Sequence, residues 1–267
     1  LTLIAVARPK HLTYLVWVVV MSIGFFGIKG GPFTILSGGS FRIWGPDGTF
    51  IEGNNEIGLA LLMVVPMMIY LARKENRKWV RYFLWFSVSM CLLSVVATYS
   101  RGAFVGMICM VGFLWLKSRY KLASFVGILV VTLTIGAFMP KQWFDRMETT
   151  TDYENDGSAM GRISAWQVAI SVAADRPTGG GYQMWSTNLF RTYGWNEASR
   201  QKKHDAHSIY FEVLGEHGFI GLCLFLGFII TGWLQGSFVI RKAKEHPELL
   251  DIANLCRMIQ VGLIAYL

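Results

Sequence analysis

Residues 205–233, DAHSIYFEVLGEHGFIGLCLFLGFIITGW, change character halfway along. The first half is polar, with two histidines (His207 and His217) and three acids (Asp205, Glu212 and Glu216). From Phe219 onward the stretch is among the most apolar in the chain. A long uncharged apolar run reads as a membrane-spanning helix. A span that starts at His207 puts a titratable group where water meets lipid.

The same pattern recurs on either side. Apolar runs predict spans at about 11–28, 56–72, 82–99, 103–116 and 122–139, then 209–233, with a further one beginning near Ile252. The 267-residue chain is 53% apolar and 16% charged, against about 25% charged for ordinary soluble domains. The predicted fold is therefore all-α: a polytopic transmembrane helical bundle with a long extracytoplasmic loop that contains an amphipathic helix. The expected divisions are 1–56 (first span and Gly-rich outer loop), 57–139 (transmembrane helices), 140–206 (outer loop) and 207–267 (C-terminal helices). Residue 1 is Leu, and the chain ends in the apolar run VGLIAYL. It reads as the interior of a longer protein.

The net charge of +8 does not form a nucleic-acid surface. Thirteen of the 25 Lys and Arg lie in four short polar stretches: before the first span, at 73–81, at 117–121 and at 241–250. Alternating spans put all four on one side, which the positive-inside rule makes cytoplasmic. The opposite side receives residues 29–55, the turn at 100–102 and the loop 140–206, which carries eight basic and eight acidic residues. The Gly-Gly and Pro-Asp-Gly pairs of 29–55 predict turns, with room for short strands or a re-entrant piece. Cys91, Cys109, Cys223 and Cys256 all fall in apolar segments without CxxC spacing. They read as small buried hydrophobes, not as metal ligands or disulfide partners.

Four outer-side segments carry candidate chemistry. In TYSRGAF (98–104), Arg101 stands between two apolar runs. It is either an arginine in the headgroup layer or an anion clamp, since a guanidinium matches phosphate oxygens bidentately. In GRISAWQVAISVAADRP (161–177), Ile163, Trp166, Ile170 and Ala173 or Ala174 recur at helical spacing and Pro177 ends the helix. This is the predicted interfacial helix, with Trp166 as a membrane anchor and Arg162 in its first turn. A cation there opposes the helix dipole unless an anion binds at the same end. RPTGGGYQMW (176–185) offers three glycines that suggest a phosphate cradle, but matches neither a Walker A nor a dinucleotide motif. A flexible loop beside the site is the more modest reading. His207 suits a general base or a cap at the start of its span. Glu212 and Glu216 share a helix face that should avoid lipid, and His217 reads as a packing or hydrogen-bonding residue on another face.

SRGA (100–103), the GR and W of 161–166, PTGGGYQMW (177–185) and H-S-x-Y-x-x-x-L-G-E-x-G-F-I-G-L (207–222) together resemble the O-antigen ligase and O-antigen polymerase superfamily. The Gly-rich 29–55 stretch is similar to the O-glycosylation ligases found beside bacterial exosortase systems. The resemblance implies transfer of a glycan from an undecaprenyl-diphosphate carrier to an acceptor hydroxyl. The transfer would occur at the periplasmic face of a multi-pass protein of the bacterial inner membrane, without cofactor or metal. It implies that Arg101 and Arg162 hold the diphosphate and that His207 activates the acceptor. Gly180, Gly181, Tyr182 and Glu212 are expected beside the substrate. Many members carry His-Asn where this chain has His207-Ser208, so the acceptor stays open between lipid A core, a protein Ser/Thr and another glycan. The bilayer is an expected partner and nucleic acid is not. The competing readings are a polymerase using the same donor, a polysaccharide transporter and a non-catalytic membrane scaffold.

Overall fold

The computed structural model describes residues 9–118, 120–148 and 157–266. These are 78% helical, with no strand among them. In chain order the helices are α1 (Pro9–Leu36), α2 (Asn54–Lys74), α3 (Lys78–Ala97), α4 (Arg101–Lys117), α5 (Lys121–Phe138), α6 (Lys141–Glu148), α7 (Gly157–Asp175), α8 (Thr187–Tyr193), α9 (Glu197–Gln201), α10 (Ile209–Lys242) and α11 (Leu250–Tyr266). Apolar runs become helices because hydrocarbon leaves each backbone amide to find its partner within the segment. By length and composition α1, α2, α3, α5, α10 and α11 are each able to cross a membrane. The protein is a polytopic all-α membrane protein. At 17 residues α4 is slightly shorter, about 26 Å against a hydrocarbon core of about 30 Å. Its ends are Arg101 and Lys117, both long enough to reach outward to headgroups.

The chain forms two compact units, residues 1–148 with 236–267, and residues 149–235. In the first, α2 is the central helix, packed on α1, α3, α4 and α11. Its Ile57, Leu61, Leu62, Val65 and Met68 are almost fully buried.

The helix α1 continues past the expected turn at Lys29 and ends only at Leu36. The reason is packing. A Cβ on Gly27 would lie 2.3 Å from Cys91 Sγ, and one on Gly31 would lie 2.7 Å from Met90 Cβ. These glycines let α1 and α3 approach closely, as small residues do between membrane helices. The Ser94 hydroxyl then reaches the Gly27 carbonyl at 2.9 Å. Neither a strand nor a re-entrant helix occurs among residues 29–55. Of the cysteines only Cys91 is buried, while Cys109 and Cys223 are exposed on their apolar helices and all four are free.

The second unit is built from α7, α8, α9 and most of α10, up to Gln235. Its core joins Ala165, Val168, Ala169 and Val172 of α7 to Met184 and Phe190. The face of α7 buried in this unit is thus the small-residue stripe, while Ile170, on the face expected at the membrane interface, is exposed. Small side chains allow α8 and α9 to pack closely over α7.

Candidate functional site

Arg101 belongs to the first unit, where it opens α4. The turn before it is heavily fastened. Thr98, Tyr99 and Ser100 are buried, and Tyr99 takes a left-handed φ of 58°, uncommon for a side chain of this size. The Tyr99 hydroxyl donates to the Gly39 carbonyl at 2.7 Å, and Arg42 lies over its ring at 5.5 Å. Burial pushes the Tyr99 phenol up, with Arg42 opposing. Ser100 caps α4 by accepting from the Ala103 amide at 3.1 Å and donates to Asn55 Oδ1 at 2.6 Å. Asn54 ties α2 to the Thr98 carbonyl at 2.9 Å. Arg101 is therefore presented at a fixed helix start, half-exposed. Beside it, a Cβ built on Gly102 meets nothing closer than 4.0 Å.

Arg162 and His207 belong to the second unit. Because α7 begins at Gly157, Arg162 stands in its second turn and not in its first. Its Nε is buried with no hydrogen-bond partner among the described residues. An unsatisfied buried N–H is costly, and a charged guanidinium is best completed by an anion. One turn on, the Trp166 indole N–H donates to the Ala206 carbonyl at 2.8 Å. The Trp166 ring stacks on Phe211, with centroids 4.8 Å apart and planes within 10°. Trp166 is thus an internal strut and not the membrane anchor expected of it. It grips the chain on both sides of His207, and the i, i+4 spacing places it on the face of α7 that carries Arg162.

His207 is exposed and takes φ 45°. After it, the Ser208 carbonyl accepts the Glu212 amide at 2.9 Å, closing the first turn of α10. Glu212 is exposed in that turn, where an acid suits the helix dipole. His204 was not singled out in the sequence. Its ring lies on Gly161, where an added Cβ would be 2.5 Å from Nδ1. Burial pushes the His204 imidazole down, assisted by Lys202 and opposed by Asp205. Only the position of this histidine three residues before His207 hinted at a role.

The glycine-rich loop departs from the cradle reading. Gly180 N–H donates to the Gly215 carbonyl at 2.7 Å, and Gly181 N–H donates to the Glu216 carbonyl at 2.9 Å. Both amides are already used within the protein. They serve a break in α10 at Gly218, φ 65° and ψ −166°, a conformation essentially confined to glycine. A break strips nearby helix carbonyls of their donors, and the loop supplies replacements. Contact is so close that a Cβ on Gly218 would lie 2.0 Å from the Pro177 carbonyl oxygen. Tyr182, next in the loop, is 84% exposed and lines a cavity of about 380 Å³ with Gln183, Trp185, Ser186, Thr187 and Lys203. His217 makes contacts of both kinds, with a ring and with an acid. It is exposed, edge-on to Tyr182 at 5.4 Å, with Nε2 3.9 Å from Glu216 Oε2. Among the described residues, no group of three or more His, Cys, Asp or Glu side chains is placed to hold a metal ion.

The apolar helices long enough to span a membrane define a multi-pass membrane protein. The sequence matches the family described as O-Antigen ligase over residues 86–226, 141 of 267 residues. The chain belongs to the O-antigen ligase family, and the matched region includes Arg101, Arg162, His207 and Glu212. No curated protein matches it.

Proposed function

We propose that the chain is a membrane glycosyltransferase that moves a glycan from undecaprenyl diphosphate to an acceptor hydroxyl. In this reading the site faces the periplasm of a bacterium and the protein lies in the inner membrane. The His207 imidazole takes the proton of the acceptor hydroxyl. The acceptor oxygen forms a bond to the anomeric carbon as the bond from that carbon to the diphosphate oxygen breaks. The electron pair leaves with the diphosphate. Arg101 and Arg162 stabilise the charge that grows there, so the reaction calls for no metal. Tyr182 and the cavity beside it receive sugar rings, Glu212 contacts the acceptor or donor hydroxyls, and Gly180 and Gly181 shape the loop from behind.

The observation that carries this reading is the Trp166 strut. It joins the helix of Arg162, with its buried unsatisfied Nε, to the Ala206 carbonyl before exposed His207 and to the Phe211 ring after it. Preorganised charge and base on one rigid element are what a transfer reaction needs. The broken helix at Gly218 is the one feature that also suits a transporter. Against that reading, the break is closed by the protein's own loop amides.

The test uses the full-length protein in proteoliposomes with a lipid-linked glycan pool. His207→Ala and Arg162→Ala at matched folded protein should each lower turnover about a hundredfold or more, with EDTA harmless. Product mass distinguishes transfer to a new acceptor from growth of the glycan, the polymerase alternative. Undiminished turnover in both variants contradicts the residue roles.

A further inference from the structure

A second polar cavity, about 500 Å³, lies in the first unit among the ends of α2, α4 and α11. Its walls carry four cations, Arg73, Lys74, Lys117 and Arg257, against one carboxylate, Asp251. That carboxylate is committed. Lys74 Nζ is 2.5 Å from Asp251 Oδ2, and the Tyr70 hydroxyl donates to Oδ1 at 2.9 Å. Arg257 donates to Asn254 Oδ1 at 2.6 Å, and Lys117 lies 5.6 Å from the Phe113 ring centroid. Neither contact neutralises charge. Among the described residues, Arg73, Lys117 and Arg257 form no ion pair. Three like charges around one cavity repel each other unless an anion joins them.

The place of the cavity narrows the anion. Lys117 ends the helix that Arg101 begins, and 16 residue steps separate them by about 24 Å along the axis. Arg73 and Lys74 likewise end α2, whose other end, Asn54, is tied to the Thr98 turn. The cavity therefore opens at the opposite membrane face from Arg101. That face gathers the basic stretches 73–81, 117–121 and 241–250 and is cytoplasmic by the positive-inside rule. The cytoplasmic leaflet is the one whose surface potential is negative, and basic pockets between membrane helices there take phosphate headgroups. Two guanidiniums supply the forked donors that a phosphodiester accepts.

We infer that this cavity binds the phosphate headgroup of an anionic phospholipid of the cytoplasmic leaflet. The site is independent of the chemistry assigned to His207. It would hold α2, α4 and α11 together at the face remote from Arg101.

The experiment measures melting of the full-length protein in detergent. Phosphatidylglycerol, phosphatidylcholine or inorganic phosphate is added to wild type and to Arg73→Gln/Lys117→Gln/Arg257→Gln, which spares the Lys74–Asp251 pair. Phosphatidylglycerol should raise the wild-type melting temperature by about 3 °C or more, with less than a third of that shift in the variant. Phosphatidylcholine should leave both unchanged. Equal phosphatidylglycerol shifts in wild type and variant overturn the site. A wild-type shift from inorganic phosphate without one from phosphatidylglycerol assigns the cavity to a soluble anion and overturns the lipid. If the triple variant does not fold, Arg257→Gln replaces it, with native mass spectrometry counting retained phosphatidylglycerol. At least a threefold loss of bound lipid is expected, and unchanged retention overturns the proposal.

Discussion

Two helix starts in this molecule use the same backbone device to different ends. At the head of α4 the order is Tyr99, Ser100, Arg101, and at the head of α10 it is His207, Ser208, Ile209. Tyr99 and His207 are the positive-φ residues other than glycine among those described, at 58° and 45°. Each immediately precedes a serine at the mouth of a helix. Left-handed backbone at a bulky residue persists only where its surroundings over-determine it. Around Tyr99 the surroundings are the protein interior, and the residue that reaches solvent is its neighbour Arg101. Around His207 the grip is on its flanking neighbours, through Trp166 to the Ala206 carbonyl and the Phe211 ring, and the strained residue itself is exposed. The first corner is built to present a charge from a buried turn. The second is built to present the strained side chain.

Breaking the first corner should have the largest effect on folding. Tyr99→Ala removes a buried ring, its hydrogen bond to Gly39 and the Arg42 contact, and should cost about 3–5 kcal/mol, read as a large fall in melting temperature. Gly218→Ala comes next. It drives a Cβ toward the Pro177 carbonyl at a φ of 65°, and should cost about 1–3 kcal/mol or more, seen by melting and by faster proteolysis within 177–218. Trp166→Phe is gentler, since it keeps the stack on Phe211 and loses the bond to Ala206. A loss of about 1 kcal/mol with a clear fall in turnover would show that the strut positions His207. An equal effect on melting with unchanged turnover would reduce it to packing.

The smallest effect is a pH slope. The folded His204 imidazole is held below its ordinary value, so the unfolded chain binds more protons as pH falls. The resulting stability is present above the ordinary histidine value near 6.5. It is lost as pH drops from there through the lowered folded value. His204→Asn should flatten the dependence of melting temperature on pH in that window. A slope identical to wild type would assign it to another group.

Much of the bundle was legible in the sequence. The second span, expected at 56–72, is Asn54–Lys74, and the fifth, expected at 122–139, is Lys121–Phe138. Apolar runs report helices well because lipid leaves the backbone no alternative. The end of α1 was not legible, because Gly30, Gly31 and Pro32 look like a turn until α3 is seen against them. At the site the candidate side chains could be read, but not what holds them. The bond from Trp166 to Ala206 spans 40 residues, and the amides of Gly180 and Gly181 meet carbonyls 35 residues away. Such pairings leave no periodicity in the sequence. The triple glycine announced an unusual loop, without saying that its partner was a broken helix.

The contrast between the two corners is tested most directly by His207→Gly, with melting temperature and lipid-linked glycan turnover measured on one preparation. Glycine accepts φ 45° without strain and has no imidazole. Melting should stay level or rise slightly while turnover falls about a hundredfold or more. Retained turnover, or a melting loss as large as that of Tyr99→Ala, would contradict the assignment of His207 as the exposed working residue of a strained corner.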